Sequence, residues 1–558
     1  MPFADYLVII IFSVGILGAG LSFSGSGKNM KSFFAAGGAV PWWISGLSLF
    51  MSFFSAGTFV VWGSIAYTHG WVSVTIQWTM AIAGFIIGFV IAPRWHKTRV
   101  LTAAEFITQR LGLKVQKIYS YLFLFISLFT TGGFLYPVAR IVEVSTGFPL
   151  HWCIIGLGLM IILYTTAGGL WAVIVTDVLQ FIILTAAVII VVPLALQKVN
   201  GIEGFIQKAP DGFFNLLKGE YTFGFIIAFA LYNLFFISGN WAYVQRYTSV
   251  PSRKDAKKVG YLFGSLYLIS PVIWMLPPMI YKIYNPGLGE FGEEGAYLMM
   301  CKEVLPLGML GLMLGGMIFA TSSSVNTTLN IAAGVFTNDL YKNLRPGVSN
   351  KNLMLVARMA TIGFGILTIM VALFVKNMGG IVEVVLSVGA ITGGALYLPP
   401  LWALFSKRQT GKSVLSATLI SLALNLFFKF VSPGMFNITL SRGQEMTLGV
   451  ILPIIVLLFF EIKNSFTQVE NKDYIKYKSI KTEQGDKYIQ ETKPDQISQN
   501  LHGRKVISLG VAGTGVLISL IGILTESGQL LVIITGSMIF IAGLLLSPKK
   551  IQKRQTMP

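Results

Sequence analysis

A run of hydroxyl side chains interrupts one of the most apolar segments of this chain. Residues 315–330 read Gly-Gly-Met-Ile-Phe-Ala-Thr-Ser-Ser-Ser-Val-Asn-Thr-Thr-Leu-Asn. On a helix, four of these residues lie three or four positions apart and share one face: Ala320, Ser323, Ser324 and Thr327. Neutral oxygens suit a hard monovalent cation better than zinc or iron, which prefer nitrogen and sulfur ligands. The alternative is that the hydroxyls bind their own carbonyls or join two helices.

Asp177 is a carboxylate within another apolar segment, residues 168–180. An ionised carboxylate well inside a bilayer costs about 2.5 kcal/mol or more on insertion scales. No basic residue lies near it in the sequence, so a bound cation is the economical partner, with Thr176, Ser324 and Thr327 as candidate co-ligands. The alternative is a carboxylate that accepts hydrogen bonds from hydroxyls near the end of its helix.

Two further polar side chains need partners inside a helix bundle. Arg140 and Glu143 stand three residues apart near the end of an apolar run, so they can pair on a helix. Alternatively, Arg140 faces a central cavity and receives the anionic group of a solute. Gln77 must also face the bundle interior, where it either lines the solute cavity or makes a structural hydrogen bond.

Catalytic arrangements are missing from the sequence. There is no His-Glu-x-x-His zinc motif, no phosphate-binding glycine loop with its lysine, and no nucleophile with an evident base. We therefore do not expect an enzyme.

The elements that carry these side chains must lie in a membrane. Hydrophobic residues make up 54% of the 558 residues, and charged residues make up 12%. We count about fifteen apolar runs of the ~20 residues that one helical crossing needs, which predicts an all-α integral membrane protein. The first run has no basic residues ahead of it and no clear small-residue cleavage site, so we interpret it as a retained helix.

Two of these runs are interrupted by small and polar residues. One interruption is Ser52–Thr58, and the other comprises Asn233 and Ser238–Asn240. The interrupted runs are the first members of two successive sets of five, residues 41–195 and 221–406. Broken helices at matching positions of two halves indicate a midplane binding site in a secondary transporter. The alternative is helix packing through small residues.

The net charge of +19 is segregated along the chain. If the N-terminus lies outside and every run crosses, all the basic clusters face the cytoplasm, so the charge indicates orientation rather than nucleic-acid binding. We therefore expect a multi-pass plasma (inner) membrane protein with a cytoplasmic C-terminus, without a nucleic-acid partner or an obligate protein partner. The basic clusters lie at 94–117, 246–258, 342–351, 407–412, 463–504 and 549–554.

Four segments lie outside the two sets of five. They are an extra helix and linker at 1–40, peripheral helices at 413–463, a polar loop at 464–504, and two C-terminal helices with a basic tail at 505–558. We expect the polar loop to be solvated, partly disordered and cytoplasmic, with a regulatory or docking role as the functional alternative. Cys153 and Cys301 are expected to be free thiols, or to form at most one optional disulfide.

Three blocks of the sequence resemble the sodium/solute symporter family, which includes sodium/glucose cotransporters, proline permease and sialic acid transporters. Residues 37–50 resemble the start of the family's first core helix, residues 168–180 its fifth, and residues 320–341 its eighth. The blocks recur in family order, and the likeness extends over about residues 1–465. The resemblance implies a five-plus-five inverted-repeat fold of the leucine-transporter type, with an extra helix ahead of it.

The resemblance also implies sodium as the coupling ion, without another cofactor. One sodium site would lie between core helices one and eight. Its ligands would be the carbonyls of Met51, Phe54 and Ala320 and the hydroxyls of Ser323 and Ser324. Some relatives have a second sodium site that uses an aspartate in core helix five, and Asp177 aligns with it. Ser324 and Thr327 would complete that second site.

The positions that contact solute in relatives match less well. Asn233 aligns with an asparagine that contacts sugar in a bacterial galactose symporter. Thr58 replaces a glutamine, Gln77 a glutamate, and Phe236 a gating tyrosine. With Arg140, these residues are the candidate lining of the solute cavity. The sequence therefore predicts a sodium-coupled symporter that imports a small polar organic solute by alternating access. The alternative is a membrane sensor with the same fold and little transport.

Overall fold

The structure is a computed structural model that describes most of the chain. The described residues are 1–23, 40–100, 103–164, 170–288, 292–341, 344–345, 347–378, 380–466, 471–485, 494–525 and 528–548. The side chains of Ser323 and Thr327, both predicted ion ligands, lie outside the description. The described part consists of helices and connecting loops, with one isolated β-bridge between Lys218 and Tyr221.

The α-helices up to residue 207 are α1 Phe3–Leu21, α2 Trp42–Met51, α3 Gly63–His69, α4 Val72–Ile86, α5 Ala92–Thr98, α6 Ala103–Leu111, α7 Leu113–Thr146, α8 Leu150–Tyr164, α9 Leu170–Gln197 and α10 Gly201–Gln207. The later ones are α11 Phe223–Gly239, α12 Trp241–Thr248, α13 Arg253–Trp274, α14 Leu276–Tyr284, α15 Ala296–Val304, α16 Met309–Val335, α17 Asn350–Phe374, α18 Gly380–Thr392, α19 Leu398–Phe405, α20 Gly411–Leu426, α21 Ser432–Phe436, α22 Arg442–Phe466, α23 Lys472–Gly485, α24 Pro494–Ile523 and α25 Gln529–Leu545. Short π-helices or 3-10 helices occupy Thr58–Trp62, Ile87–Ile91, Glu293–Gly295, Phe336–Tyr341, Val375–Met378, Gly393–Tyr397 and Phe427–Val431.

Many of these helices have the length and apolarity of membrane spans. Over the described ranges, 11 helical segments qualify, and the bent pair α11–α12 would add one more. Shorter apolar helices cover Trp42–Met51, Leu150–Ile162 and Gln529–Leu545. The chain is therefore an all-helical membrane protein, as its composition predicted, while the count of about fifteen spans stays a prediction.

The first interruption lies where the small and polar residues predicted it. Helix α2 ends at Met51, and helical structure resumes at Ala56. The hydroxyl of Thr58 accepts from the backbone N–H of Ser55 at 3.3 Å and donates to the carbonyl of Phe53 at 3.1 Å. A bilayer offers no water to these backbone groups, so local hydroxyls replace the missing helical partners.

The second interruption separates α11 from α12, which meet at an angle of 63°. Asn240 stands at the bend in an extended conformation, and its side-chain oxygen accepts from the N–H of Ala242 at 3.0 Å, which caps α12. The indole of Trp95 donates to the carbonyl of Ser238 at 2.8 Å. Side-chain hydrogen bonds thus satisfy backbone groups at both interruptions.

Asp5 connects the first helix to the helix that carries the hydroxyl run. Its Oδ1 accepts from the N–H groups of Gly308 at 2.8 Å and Gly311 at 3.0 Å, at the start of α16. The carboxylate therefore satisfies two N–H groups that have no partner within the helix, and it lies at the positive end of the helix dipole. Helix α16 is also packed against α7, α9 and α17.

Part of the stretch 464–504 is folded against the bundle, whereas the sequence suggested a solvated loop. The amide of Asn471 donates to the carbonyl of Gln409 at 2.8 Å, just ahead of α23. On α23, the ring of Tyr474 lies 5.1 Å from the guanidinium carbon of Arg110 on α6. Burial lowers the pKa of this Arg110 side chain. Two aromatic residues, Tyr474 and Tyr477, give this polar segment enough apolar surface to dock on α6.

The two cysteines are unbonded in the structure. Cys153 and Cys301 are both buried free thiols, as the sequence analysis expected. Burial of Cys301 is complete, so this thiol contributes to packing.

Glycines allow α13 to pack backbone against backbone on the π-helix Ile87–Ile91, which follows α4. A Cβ atom on Gly260 would lie 2.5 Å from the Cα of Gly88, which is closer than any ordinary contact. We expect Gly260→Val to destabilise the protein by about 1–3 kcal/mol, because the two helices must separate. Thermal unfolding of the purified protein measures the effect. The matched control is Gly363→Val, because a Cβ on Gly363 meets open space. Equal loss of stability in both variants would contradict the close packing.

Candidate ion and solute site

The first helix break contacts the hydroxyl run of α16 through one hydrogen bond. The N–H of Ala56, the first residue after the break, donates to Oγ1 of Thr321 at 3.1 Å. Thr321 is fully buried. Thr321 lies within the run of hydroxyls but is not among the predicted ion ligands. This bond places the break beside the start of the run, as the proposed ion site requires.

Two carbonyls at the break remain available to a ligand. The carbonyl of Phe50 accepts from the N–H groups of Phe53 and Phe54, both at 3.1 Å. No hydrogen bond from the described residues ends on the carbonyl of Met51 or Phe54, although both residues are buried. A buried carbonyl without a partner is costly, so an ion or a water molecule would stabilise this arrangement. Ala320, the third predicted carbonyl ligand, accepts a long 3.5 Å bond from Ser324.

Predicted ion ligands from different helices face one polar cavity of about 50 Å³. Its polar lining includes Ser52 from the break, Asp177 from α9, and Ser324 and Thr328 from α16. Asn240 at the second break also lines it. The structure therefore brings together the two helix breaks, the buried carboxylate and part of the hydroxyl run.

Asp177 has a protein partner that the sequence analysis missed. The hydroxyl of Ser48 donates to Oδ2 of Asp177 at 2.7 Å, and Nε of Arg246 donates to the same hydroxyl at 3.3 Å. All three side chains are buried. Arg246 lies on α12, beyond the second break, and the sequence analysis counted it only as part of a basic cluster. The negative charge of Asp177 is therefore partly compensated by the guanidinium of Arg246, with the Ser48 hydroxyl between them.

A second cavity, the central cavity, has a volume of about 150 Å³ and lies next to the polar cavity. Three predicted solute-contacting residues line it, namely Thr58, Asn233 and Phe236. The amide of Asn233 donates to Oγ1 of Thr79 at 2.8 Å, which fixes the orientation of its side chain. Phe236 lines both cavities. The two cavities therefore share part of their lining.

Two predicted solute residues do not reach the central cavity. Gln77 and Arg140 are absent from its described lining. The amide of Gln77 donates to the carbonyl of Ser73 one turn earlier, at 3.3 Å. Arg140 pairs with Glu143 on its own helix and with Glu294 at 3.5 Å. Both side chains therefore make structural contacts, which was the alternative for each, and we leave them out of the solute site.

Comparisons with known proteins identify relatives of this chain. The sodium:solute symporter family matches residues 33–421. A sodium/glucose cotransporter of Vibrio parahaemolyticus is 25% identical over 509 residues, which cover 85% of this chain and 92% of that protein. Sodium/myo-inositol cotransporter 2 of Sus scrofa is 25% identical over 471 residues, which cover 76% of this chain and 69% of that protein.

A solved structure shows the same fold. The structure of a Na⁺-coupled sialic acid symporter, determined in a substrate-bound, outward-open state, superposes with a TM-score of 0.69 at 22% identity. The match covers 83% of this chain and 98% of that one.

Thr321 provides a test of how the first break is held. We expect Thr321→Val to leave the N–H of Ala56 buried without an acceptor, at a cost of about 1–3 kcal/mol. The variant should unfold at lower temperature in sodium-free buffer and gain less stability from added sodium. Thr321→Ser keeps the acceptor and should behave like the unmodified protein. If sodium stabilises Thr321→Val as much as it stabilises the unmodified protein, the hydrogen bond between Ala56 and Thr321 does not contribute to ion binding.

Proposed function

The chain belongs to the sodium:solute symporter family, and we propose that it imports a small polar organic solute by alternating access. Its relatives include sodium/glucose and sodium/myo-inositol cotransporters, which supports sodium as its coupling ion. The family and these relatives are transporters rather than enzymes. The membrane potential supplies about 2.3 kcal/mol per charge per 100 mV, to which the sodium gradient adds its concentration term.

The hydrogen bond between Ala56 and Thr321 is the observation that carries the proposal, because it joins the first helix break to the run of hydroxyls on α16. We assign the first sodium site to this junction. Its ligands are the carbonyls of Met51, Phe54 and Ala320 and the hydroxyls of Ser323 and Ser324. An ion here would tie the broken helix to α16, so sodium would favour one arrangement of these two elements.

A second sodium site is proposed at Asp177, with Ser324 and Thr327. Both Asp177 and Ser324 line the polar cavity, which supports the assignment. Arg246 adds a complication, because its guanidinium reaches Asp177 through Ser48. Sodium binding at this carboxylate must therefore compete with a cation that belongs to the protein.

The broader arrangement follows the same proposal. Residues 41–195 and 221–406 would form the two inverted repeats, and the other segments would surround them as the sequence analysis divided them. The protein would span the plasma membrane with its N-terminus outside. Because sodium and solute would bind adjacent cavities in one conformation, each should raise the affinity for the other by the same factor.

Transport and sensing are distinguished by solute counterflow in proteoliposomes. Sodium-dependent counterflow of a bound solute is expected of the symporter. Tight sodium-dependent binding without counterflow would favour the sensor instead. A thermal-stability screen of sugars, polyols, amino acids and carboxylates, in sodium and in potassium, selects the solute, because a ligand that binds the folded state raises its stability.

Ser324→Ala tests the ligand that the two proposed sodium sites share. We expect the sodium concentration that gives half-maximal stabilisation to rise about tenfold, which corresponds to about 1.4 kcal/mol for one lost ligand. The matched control is Ser322→Ala on the same helix, because the Ser322 hydroxyl donates to the carbonyl of Ile318 at 2.6 Å. An unchanged sodium requirement in Ser324→Ala would reject its role as a ligand.

Asp177→Asn tests the second sodium site. We expect the number of sodium ions moved per solute to fall from two toward one, because the amide no longer attracts a cation. The reversal potential of transport in proteoliposomes gives this ratio. Ser48→Ala, which cuts the link to Arg246 and keeps the carboxylate, should retain the original ratio. The same ratio in Asp177→Asn and in the unmodified protein would argue against a second ion.

A further inference from the structure

The central cavity has walls without charge. The described residues that line it include neither an acid nor a base. Two charged groups face the neighbouring polar cavity instead, where Asp177 and Arg246 are linked through Ser48. Arg140, the one cation that the sequence offered to an anionic solute, is paired with Glu143 and Glu294. A charged solute would therefore find no counter-charge among the described residues that line the cavity, which is unfavourable.

Aromatic rings form one wall of the cavity. The rings of Phe53 and Tyr243 lie 4.4 Å apart, and those of Tyr232 and Phe236 stack at 5.5 Å with an angle of 13° between their planes. Trp62 contributes a further ring from the first broken helix. Such a wall offers flat apolar faces, against which an apolar face of a solute can pack.

An aliphatic wall lies on α18. Val384, Val385 and Val388 all line the cavity, and none of these side chains can form a hydrogen bond. Solute hydroxyls that face this wall would stay unpaired. Each unpaired buried hydroxyl disfavours binding, so the valine wall disfavours a ring with hydroxyls on both faces.

Three threonine hydroxyls of the cavity already use their protons within the protein. Thr58 donates to the carbonyl of Phe53 at 3.1 Å, Thr130 to that of Ser127 at 3.1 Å, and Thr392 to that of Val388 at 2.7 Å. These hydroxyls can accept from a solute but cannot also donate to it. The other polar side chains on the described lining are the Asn233 amide and the hydroxyls of Ser55, Tyr232, Tyr243 and Tyr267.

We propose that the transported solute is an uncharged, single-ring molecule with an apolar face and one or two hydrogen-bonding groups, such as a primary amide or a single hydroxyl. The proposal rests on the transport function proposed above and specifies its substrate class. The cavity volume of about 150 Å³ agrees with one ring, since an apolar cavity of about 150 Å³ holds benzene. The amide of Asn233 would bind the polar group, and the aromatic and valine walls would enclose the ring.

Two series of probes test this class by thermal stability of the full chain, each measured in sodium and in potassium. The charge series is benzamide, benzoate and benzylammonium, which share one ring. The hydroxyl series is cyclohexanol and myo-inositol, which share another. We expect the neutral members, benzamide and cyclohexanol, to bind at least tenfold more tightly than the others. A tighter member among benzoate, benzylammonium or myo-inositol would overturn the class, and so would a lack of stabilisation by both neutral probes.

A pair of variants isolates the role of charge. Val388→Asp and Val388→Asn place side chains of equal size in the cavity wall, and only the first carries a charge. We expect Val388→Asp to bind benzylammonium at least tenfold more tightly than Val388→Asn does, and to lose preference for benzamide. Equal binding by the two variants would show that the probes do not occupy this cavity. If Val388→Asp fails to fold, the probe series on the unmodified protein still decides the class.

The two proposals fail in different ways. Equal binding of a neutral probe in sodium and in potassium would refute sodium coupling and leave the solute class intact. Sodium-dependent binding of a charged or polyhydroxylated probe would refute the class and leave sodium coupling intact.

Discussion

A helix that is broken inside a bilayer exposes backbone groups to a medium without water, and the first break of this chain depends on three hydroxyl-bearing residues to satisfy them. Ser55 and Thr58 bind backbone groups within the break, and Thr321 reaches across from α16 to the N–H of Ala56. These bonds leave the carbonyls of Met51 and Phe54 without a hydrogen bond from the described residues. The bilayer offers no water to the backbone at a helix break, so a break is energetically unfavourable. For the same reason, carbonyl oxygens at the break can bind a cation.

The second break extends this arrangement to the solute. Asn240 at the bend lines the polar cavity, and α12 beyond it carries Arg246 back toward Asp177 through Ser48. Phe236, one turn before the bend, lines both the polar and the central cavity. A movement of α11 relative to α12 would therefore change the ion ligands and the solute wall together. This shared wall gives a physical route for the reciprocal coupling expected of a symporter.

Local sequence patterns predicted the helices and their breaks, whereas contacts between residues far apart in the sequence could not be predicted. The breaks at Ser52–Thr58 and Ser238–Asn240 were predictable because small polar residues stand out within apolar runs. The pairing of Arg140 with Glu143 was also predictable, since the two lie three residues apart.

In contrast, the link from Arg246 to Asp177 joins helices that are remote in sequence, so no local sequence pattern predicts it. The sequence predicted that Gln77 is buried, but it did not predict which helix packs against that face. For this reason Gln77 was wrongly assigned to the solute cavity. The polar composition of residues 464–504 predicted a solvated loop. The packing of α23 on α6 depends on only two aromatic residues, Tyr474 and Tyr477, which composition does not reveal.

The contact between Asp5 and α16 has a practical consequence for work with this protein. The carboxylate caps the helix that carries the proposed ion ligands, so the amino-terminal helix is a structural support for that helix. A purification tag attached ahead of Pro2 leaves this support in place. Trimming the chain beyond Asp5, as is often done to improve crystallisation, removes this support at the start of the helix that carries the proposed ion ligands.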